Sequence, residues 1–88
     1  MRSFVYILKS DSGKYYIGST NDLPRRLEQH KRGNTPTTKR MGCVSLVFSQ
    51  EYDSLKDARN IEFRIKKLKR KDYIEKIINE GHIKILPA

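Results

Sequence analysis

The sequence is poor in several things at once: it has one cysteine, three prolines and ten acidic residues against nineteen lysines and arginines. A lone Cys43 excludes an internal disulfide and fits a reducing compartment; its expected role is a small apolar residue at the edge of a strand. There is no apolar run of the roughly 18 residues that a membrane-spanning helix needs. Met1-Arg2-Ser3 leads directly into a strand-like segment too short for a secretory signal. Repeats and low-complexity segments are also missing. These absences together predict a soluble, cytoplasmic protein with no membrane role. At 88 residues, one domain spanning 1–88 with a single small core is expected.

The scarcity of acids leaves a net charge of +9 and a pI near 9.9. A positive excess of that size on so small a body points to polyanionic partners. The cations also cluster. Arg25, Arg26, Lys31 and Arg32 form one group, Lys39 and Arg40 a second, and Lys66, Lys67, Lys69, Arg70 and Lys71 a third. Charge alone does not separate a nuclease from a passive nucleic-acid binder.

Phe4 to Leu8 is aromatic and β-branched and reads as a strand, Asp11-Ser12-Gly13-Lys14 as a turn, and Tyr15 to Ser19 as the returning strand of a hairpin. Alternation then places Phe4, Tyr6 and Leu8 on one face, and Tyr16 and Gly18 together on the partner. Gly18 inside a strand signals close approach by another backbone or a ligand. Asn21 or Asp22 caps a helix with Pro24 in its first turn, running to about Arg32 and stopping at Gly33. A polar surface loop follows to Gly42. Val44 to Tyr52 forms a third strand, with Val44, Leu46 and Phe48 as its apolar positions. Asp53 or Ser54 opens a long helix to about Lys69. A shorter helix from Asp72 to Glu80 buries Tyr73, Ile74, Ile77 and Ile78 and ends at Gly81. Ile83 to Leu86 is apolar enough to dock. The order β-β-α-β-α-α predicts an α/β protein of α+β type, with a small three-stranded, mostly antiparallel sheet flanked by helices.

Polar residues interrupt both apolar stripes. From Leu23, Arg26 and His30 fall at i+3 and i+7, the spacing of the face that meets the sheet. A buried arginine needs a partner. Either Arg26 extends outward along its stem, or both residues line a cleft where a phosphate supplies the counter-charge. In the long helix Leu55, Ala58, Ile61, Ile65 and Leu68 define the buried stripe, and Glu62 falls inside it. A Glu62–Arg26 salt bridge would satisfy both without any chemistry. A site for a metal and a phosphate would use the same two groups.

The whole set resembles the GIY-YIG nuclease family. Tyr16-Ile17-Gly18 reproduces the second half of the signature, and Phe4-Val5-Tyr6 stands where the first half expects Gly-Ile-Tyr. Arg26 and His30 match the family's helix arginine and histidine, and Glu62, followed by Ile65-Lys66-Lys67-Leu68, matches its metal-binding glutamate. The chain looks most like the small stand-alone bacterial YhbQ-like group. The asparagine that some members place late in the site has no match beyond Asn79, in a helix not assigned to catalysis.

The resemblance implies phosphodiester hydrolysis in DNA, more than RNA, assisted by one Mg²⁺ or Mn²⁺ ion on Glu62. Arg26 would fork onto a phosphate oxygen, and His30 would assist by hydrogen bonding or proton transfer. Tyr6 would orient or deprotonate the attacking water, hydrogen-bonded to Tyr16, provided nearby cations lower its pKa from about 10. Gly18 would serve through its backbone, and Tyr15, Tyr52 and Tyr73 would be packing residues. Arg25, Lys31, Lys39, Arg40, Lys66, Lys67, Lys69 and Arg70 would hold the nucleic-acid backbone, which gives affinity but little sequence information. Specificity is then weak, or comes from a protein partner. A non-catalytic nucleic-acid-binding module on the same scaffold is the alternative.

Overall fold

The computed structural model describes residues 2–32, 43–68 and 70–85. Gly33, the polar loop with Lys39 and Arg40, Lys69 and Leu86 lie outside the described residues. The elements are β1 (Ser3–Ser10), β2 (Tyr15–Thr20), α1 (Leu23–Lys31), β3 (Val44–Tyr52), α2 (Leu55–Leu68) and α3 (Lys71–Glu80). The three strands lie in the order β2-β1-β3, and β1 is antiparallel to both neighbours. This is the α+β arrangement that the element order predicts.

Local chemistry accounts for the boundaries. Gly13 adopts a φ of 86° in the hairpin turn, where its N–H donates to the Ser10 carbonyl at 3.0 Å. Asp22 caps α1, its carboxylate accepting from the Arg25 N–H at 3.2 Å. Pro24 sits in the first turn, where its missing N–H costs nothing. Ser54 accepts from the Asp57 N–H at the start of α2, and Gly81, at a φ of 78°, ends α3.

β1 is central and covered on both faces, so Val5, Tyr6, Ile7 and Leu8 are each no more than 1% exposed. Val5 and Ile7 join Ile17, Phe48, Ala58, Ile61, Ile65, Ile77 and Ile83 in the hydrophobic core. Tyr6 and Leu8 point the other way, as alternation requires. The core therefore fills one side of the sheet, and the tyrosine side is left for polar chemistry.

Two expectations about apolar positions are corrected. Val44, Leu46 and Phe48 do not keep one alternation, because a bulge sits opposite the step from Ile7 to Leu8: Ile7 pairs with Phe48 but Leu8 with Leu46. The extra residue, Val47, turns Leu46 to the opposite face from Phe48, and Leu46 is 41% exposed. Leu68 is also exposed, because it is the last residue of α2, beyond the part that lies over the sheet. Ile83 docks as expected, in an irregular segment, with its N–H donating to Gln50 Oε1 at 2.7 Å.

Candidate active site

The register of the hairpin builds the site. Tyr6 lies opposite Gly18 and Leu8 opposite Tyr16. A Cβ on Gly18 would come within 2.4 Å of the Tyr6 phenol oxygen and 2.5 Å of Cζ. The close approach foreseen at Gly18 is real, but what approaches is the ring of Tyr6, not a backbone or a ligand. The missing side chain lets this phenol lie flat across β2.

α1 then delivers two polar side chains onto that phenol. Tyr6 Oη is 2.8 Å from Nε2 of the buried His30, and the Arg26 Nε–H donates to Tyr6 Oη at 3.3 Å. A second Arg26 nitrogen donates to Gln29 Oε1 at 3.0 Å. Burial first, and then the Arg26 charge, push the His30 pKa below its ordinary value. A neutral imidazole accepting at Nε2 leaves the phenol donating to His30 while receiving from Arg26, which satisfies all three groups. Tyr6, Tyr16 and His30 form a triangle of rings, with centroids 6.3 Å, 5.6 Å and 5.1 Å apart.

Two expectations for the tyrosines change. The hydrogen-bond partner of Tyr6 is His30 and not Tyr16, because the register sets Tyr16 opposite Leu8, diagonal to Tyr6. The Tyr6 pKa is not lowered. Burial outweighs the hydrogen bond from Arg26, and Tyr16 and, more weakly, Glu62 add to burial, so the phenol is pushed up to about 12. A free phenolate acting as base is therefore the wrong picture for Tyr6 in this state. Arg26 gains from the same contact: its own pKa is raised, first by the hydrogen bond to Tyr6.

Glu62 arrives from the other layer. It lies on the sheet-facing side of α2, and the Ser19 hydroxyl donates to its Oε1. Ser19 directly follows Gly18 on β2, so the carboxylate sits at the edge strand of the hairpin. Lys66 Nζ donates to Oε2 at 2.6 Å and also stands 5.4 Å above the ring centroid of Tyr16. The Glu62–Arg26 bridge is thus replaced by a Glu62–Lys66 pair at i,i+4, and no carboxylate pairs with Arg26 among the described residues. The cause is geometric: Arg26 turns onto Tyr6 on the tyrosine face, whereas Glu62 meets Ser19, which alternation places on the opposite face of β2.

No group of three His, Cys, Asp or Glu side chains that would hold a metal occurs among the described residues. A small hard cation needs no such group: it is held by one or two carboxylates and takes its other ligands from water and substrate phosphate. Glu62 fits such an ion, since its outer oxygen already holds an ammonium that a divalent cation would displace.

The remaining cations are more dispersed. Arg25, Lys31 and Lys67 are exposed, while Arg70 is engaged with Asp72 at 2.7 Å. Lys66, read as a backbone contact, belongs to the site itself. Asn79 is exposed on α3. Ser19 and Gln29 were missed by sequence reading. A polar residue just after Gly18, on the face shared with Val5, was the available signal for Ser19; nothing marked Gln29.

Residues 2–77 match the model of the GIY-YIG catalytic domain. The chain belongs to the GIY-YIG family. This GIY-YIG chain is 34% identical over 80 residues to a UPF0213 protein of Clostridium perfringens, covering 90% of this chain and 86% of that one. It is 36% identical over 76 residues to the UPF0213 protein YazA of Bacillus subtilis, covering 82% and 77% respectively. The solution NMR structure of a UPF0213 protein from Bacillus halodurans superposes with a TM-score of 0.58 at 30% identity, covering 92% of this chain and 87% of the other. Membership in this nuclease family makes nucleic acid the substrate class to consider. No helix among the described residues is long and apolar enough to cross a membrane.

Proposed function

We propose that the protein is an endonuclease that hydrolyses phosphodiester bonds in DNA with one Mg²⁺ or Mn²⁺ ion, choosing structure over sequence, in DNA repair or recombination. The observation that supports this is the Tyr6–His30–Arg26 network on one face of the hairpin, with Lys66 joining the Glu62 carboxylate to the ring of Tyr16 at the edge strand. Glu62 would hold the ion, which when bound polarises the phosphate and stabilises the departing oxygen. Arg26, with no acid beside it among the described residues, would turn from Tyr6 onto a phosphate oxygen and neutralise charge that develops during attack.

That movement would uncover the phenol. A phenol with a pKa of about 12 does not act as a free base near neutrality. It can act as a relay: Tyr6 takes a proton from the attacking water as it passes its own to His30 Nε2. The neutral imidazole, whose pKa burial lowers, is the acceptor. Charge then ends on His30, beside Tyr6.

A second reading, a nucleic-acid-binding module without turnover, is favoured by two observations. Tyr6 is fully buried, and Lys66 occupies the carboxylate that a metal would need. Incubation with branched, nicked and single-stranded DNA, with and without Mg²⁺ or Mn²⁺, decides between them. Metal-dependent cutting lost in Arg26→Ala and Glu62→Gln supports the nuclease. Tight binding with no cutting under any metal condition supports the module.

A further inference from the structure

Two depressions flank the Glu62–Lys66 pair, and of their lining the proposed hydrolysis uses only Glu62. The first lies between the β1–β2 turn and the junction of α2 and α3, with a volume of about 490 Å³. That is within the range of about 300–1,000 Å³ typical of small-molecule sites. Its floor is apolar, formed by Ile17, Ile65 and Ile74, and Tyr15 and Tyr16 stand on its wall. Lys14, Lys66, Arg70 and Lys71 line it as well, and no acid does among the described residues. Lys9 and Lys71 cap the Tyr15 ring at 5.7 Å and 5.8 Å from its centroid, the outer limit of a cation–π contact.

The second depression is open and runs along the flank of α2, lined by Arg59, Glu62, Phe63, Lys66 and Lys67. Phe63 is 59% exposed, directly follows Glu62, and has cations at i−4, i+3 and i+4. A single exposed apolar residue is ordinary on a protein surface. This one is ringed by three cations and touches the same hollow as the carboxylate. Lys66 lines both depressions.

We propose that this surface binds single-stranded nucleic acid, seating an unpaired base on each side of the phosphate held at Glu62, one in the hairpin cleft and one stacked on Phe63. The inference rests on the proposed function for the position of that phosphate. An aromatic face with cations around it and an apolar floor is what a base and its flanking phosphates require, and stacking of this kind tolerates any sequence. A paired base offers neither face, because its neighbours in the duplex already cover both. The lysines now over Tyr15 would move onto phosphates as a base replaces them. Selectivity for structure then has a physical origin: the strand must be unpaired at the cut.

Binding is measured with Mn²⁺ present on cleavage-resistant phosphorothioate strands, so that the ion is in place and no cleavage occurs. The probes are fluorescent oligonucleotides as single strands, as duplexes of equal length, and as single strands carrying abasic residues, in DNA and RNA arms. Single strands of either sugar are expected to bind about tenfold more tightly than the abasic strands and the duplex. Phe63→Ser, at an exposed position, should lower single-strand affinity about fivefold or more and leave abasic affinity unchanged. Lys71→Glu should weaken both equally. Equal affinity for base-bearing and abasic strands, or duplex binding as tight as single-strand binding, overturns the proposal. Base-dependent binding by a protein that cuts nothing with metal present keeps this inference and removes hydrolysis.

Discussion

Replacing Gly18 by alanine tests how the site is assembled. The new Cβ would stand 2.4 Å from the Tyr6 oxygen and 2.5 Å from Cζ, about 1 Å short of an ordinary contact of roughly 3.5 Å. Tyr6 is fully buried and its oxygen is fixed by His30 and Arg26, so the ring has no free direction in which to yield. Overpacking of this sort costs about 1–3 kcal/mol. A displaced phenol also leaves His30 short of a buried partner, at about 1 kcal/mol or more. Against this, alanine is favoured over glycine in a strand by about 0.5–1 kcal/mol. The net loss is about 2 kcal/mol, read as a lower urea midpoint with an unchanged slope. The decisive comparison is Gly18→Ala made in a Tyr6→Leu background. There the obstructing oxygen and ring carbon are gone, and the substitution should be neutral or slightly stabilising. An equal cost in both backgrounds would mean that Tyr6 is not what the new methyl meets, as would a Gly18→Ala protein as stable as the parent.

Three further outcomes follow from the same geometry. Tyr6 should ionise late: with a folded pKa of about 12 against about 10 unfolded, its contribution to stability is intact below pH 10 and is lost as pH rises towards 12. Ultraviolet titration should show a late phase that Tyr6→Phe removes, and its absence from the parent would contradict the burial argument. His30 has a folded pKa below its unfolded value of about 6.5, so stability should fall as pH drops below 6.5, where only the unfolded chain takes up the proton. Denaturation midpoints at pH 7 and pH 5 should converge in His30→Gln, and an unchanged acid loss would count against it. Lys66→Met frees the outer oxygen of Glu62, so the Mg²⁺ concentration for half-maximal cutting should fall several-fold; an unchanged requirement would mean that Lys66 does not compete with the ion.

Most of the fold was legible because each element carries its own punctuation. Gly13, Asp22 with Pro24, Ser54 and Gly81 mark boundaries through backbone chemistry, which depends only on near neighbours. The faces of β1 and β2 followed from alternation, and the positions of Arg26, His30 and Glu62 from helical period. What was not legible depends on packing between elements. The bulge at Val47 reverses the facing of Leu46 relative to Phe48, and nothing in Val44 to Tyr52 announces it. The diagonal offset of Tyr16 from Tyr6 follows from a register that only the folded hairpin fixes. The rise of the Tyr6 pKa was hidden for a related reason: Arg26 was visible in the sequence, whereas the burial that outweighs it was not. Glu62 took Lys66 over Arg26 because the acid and the guanidinium meet opposite faces of the hairpin, although the i,i+4 spacing of Glu62 and Lys66 was there to be read.

Under the proposed function, Glu62 and the tyrosine network form one centre for a divalent ion and a phosphate. Adding Mn²⁺ to the isotopically labelled protein with a short, cleavage-resistant phosphorothioate strand tests it by paramagnetic line broadening. Signals of Ser19, Tyr16, Glu62 and Lys66 should broaden first and together, and Glu62→Gln should abolish the effect while the strand still binds. Broadening centred elsewhere, or unchanged by Glu62→Gln, would contradict the account.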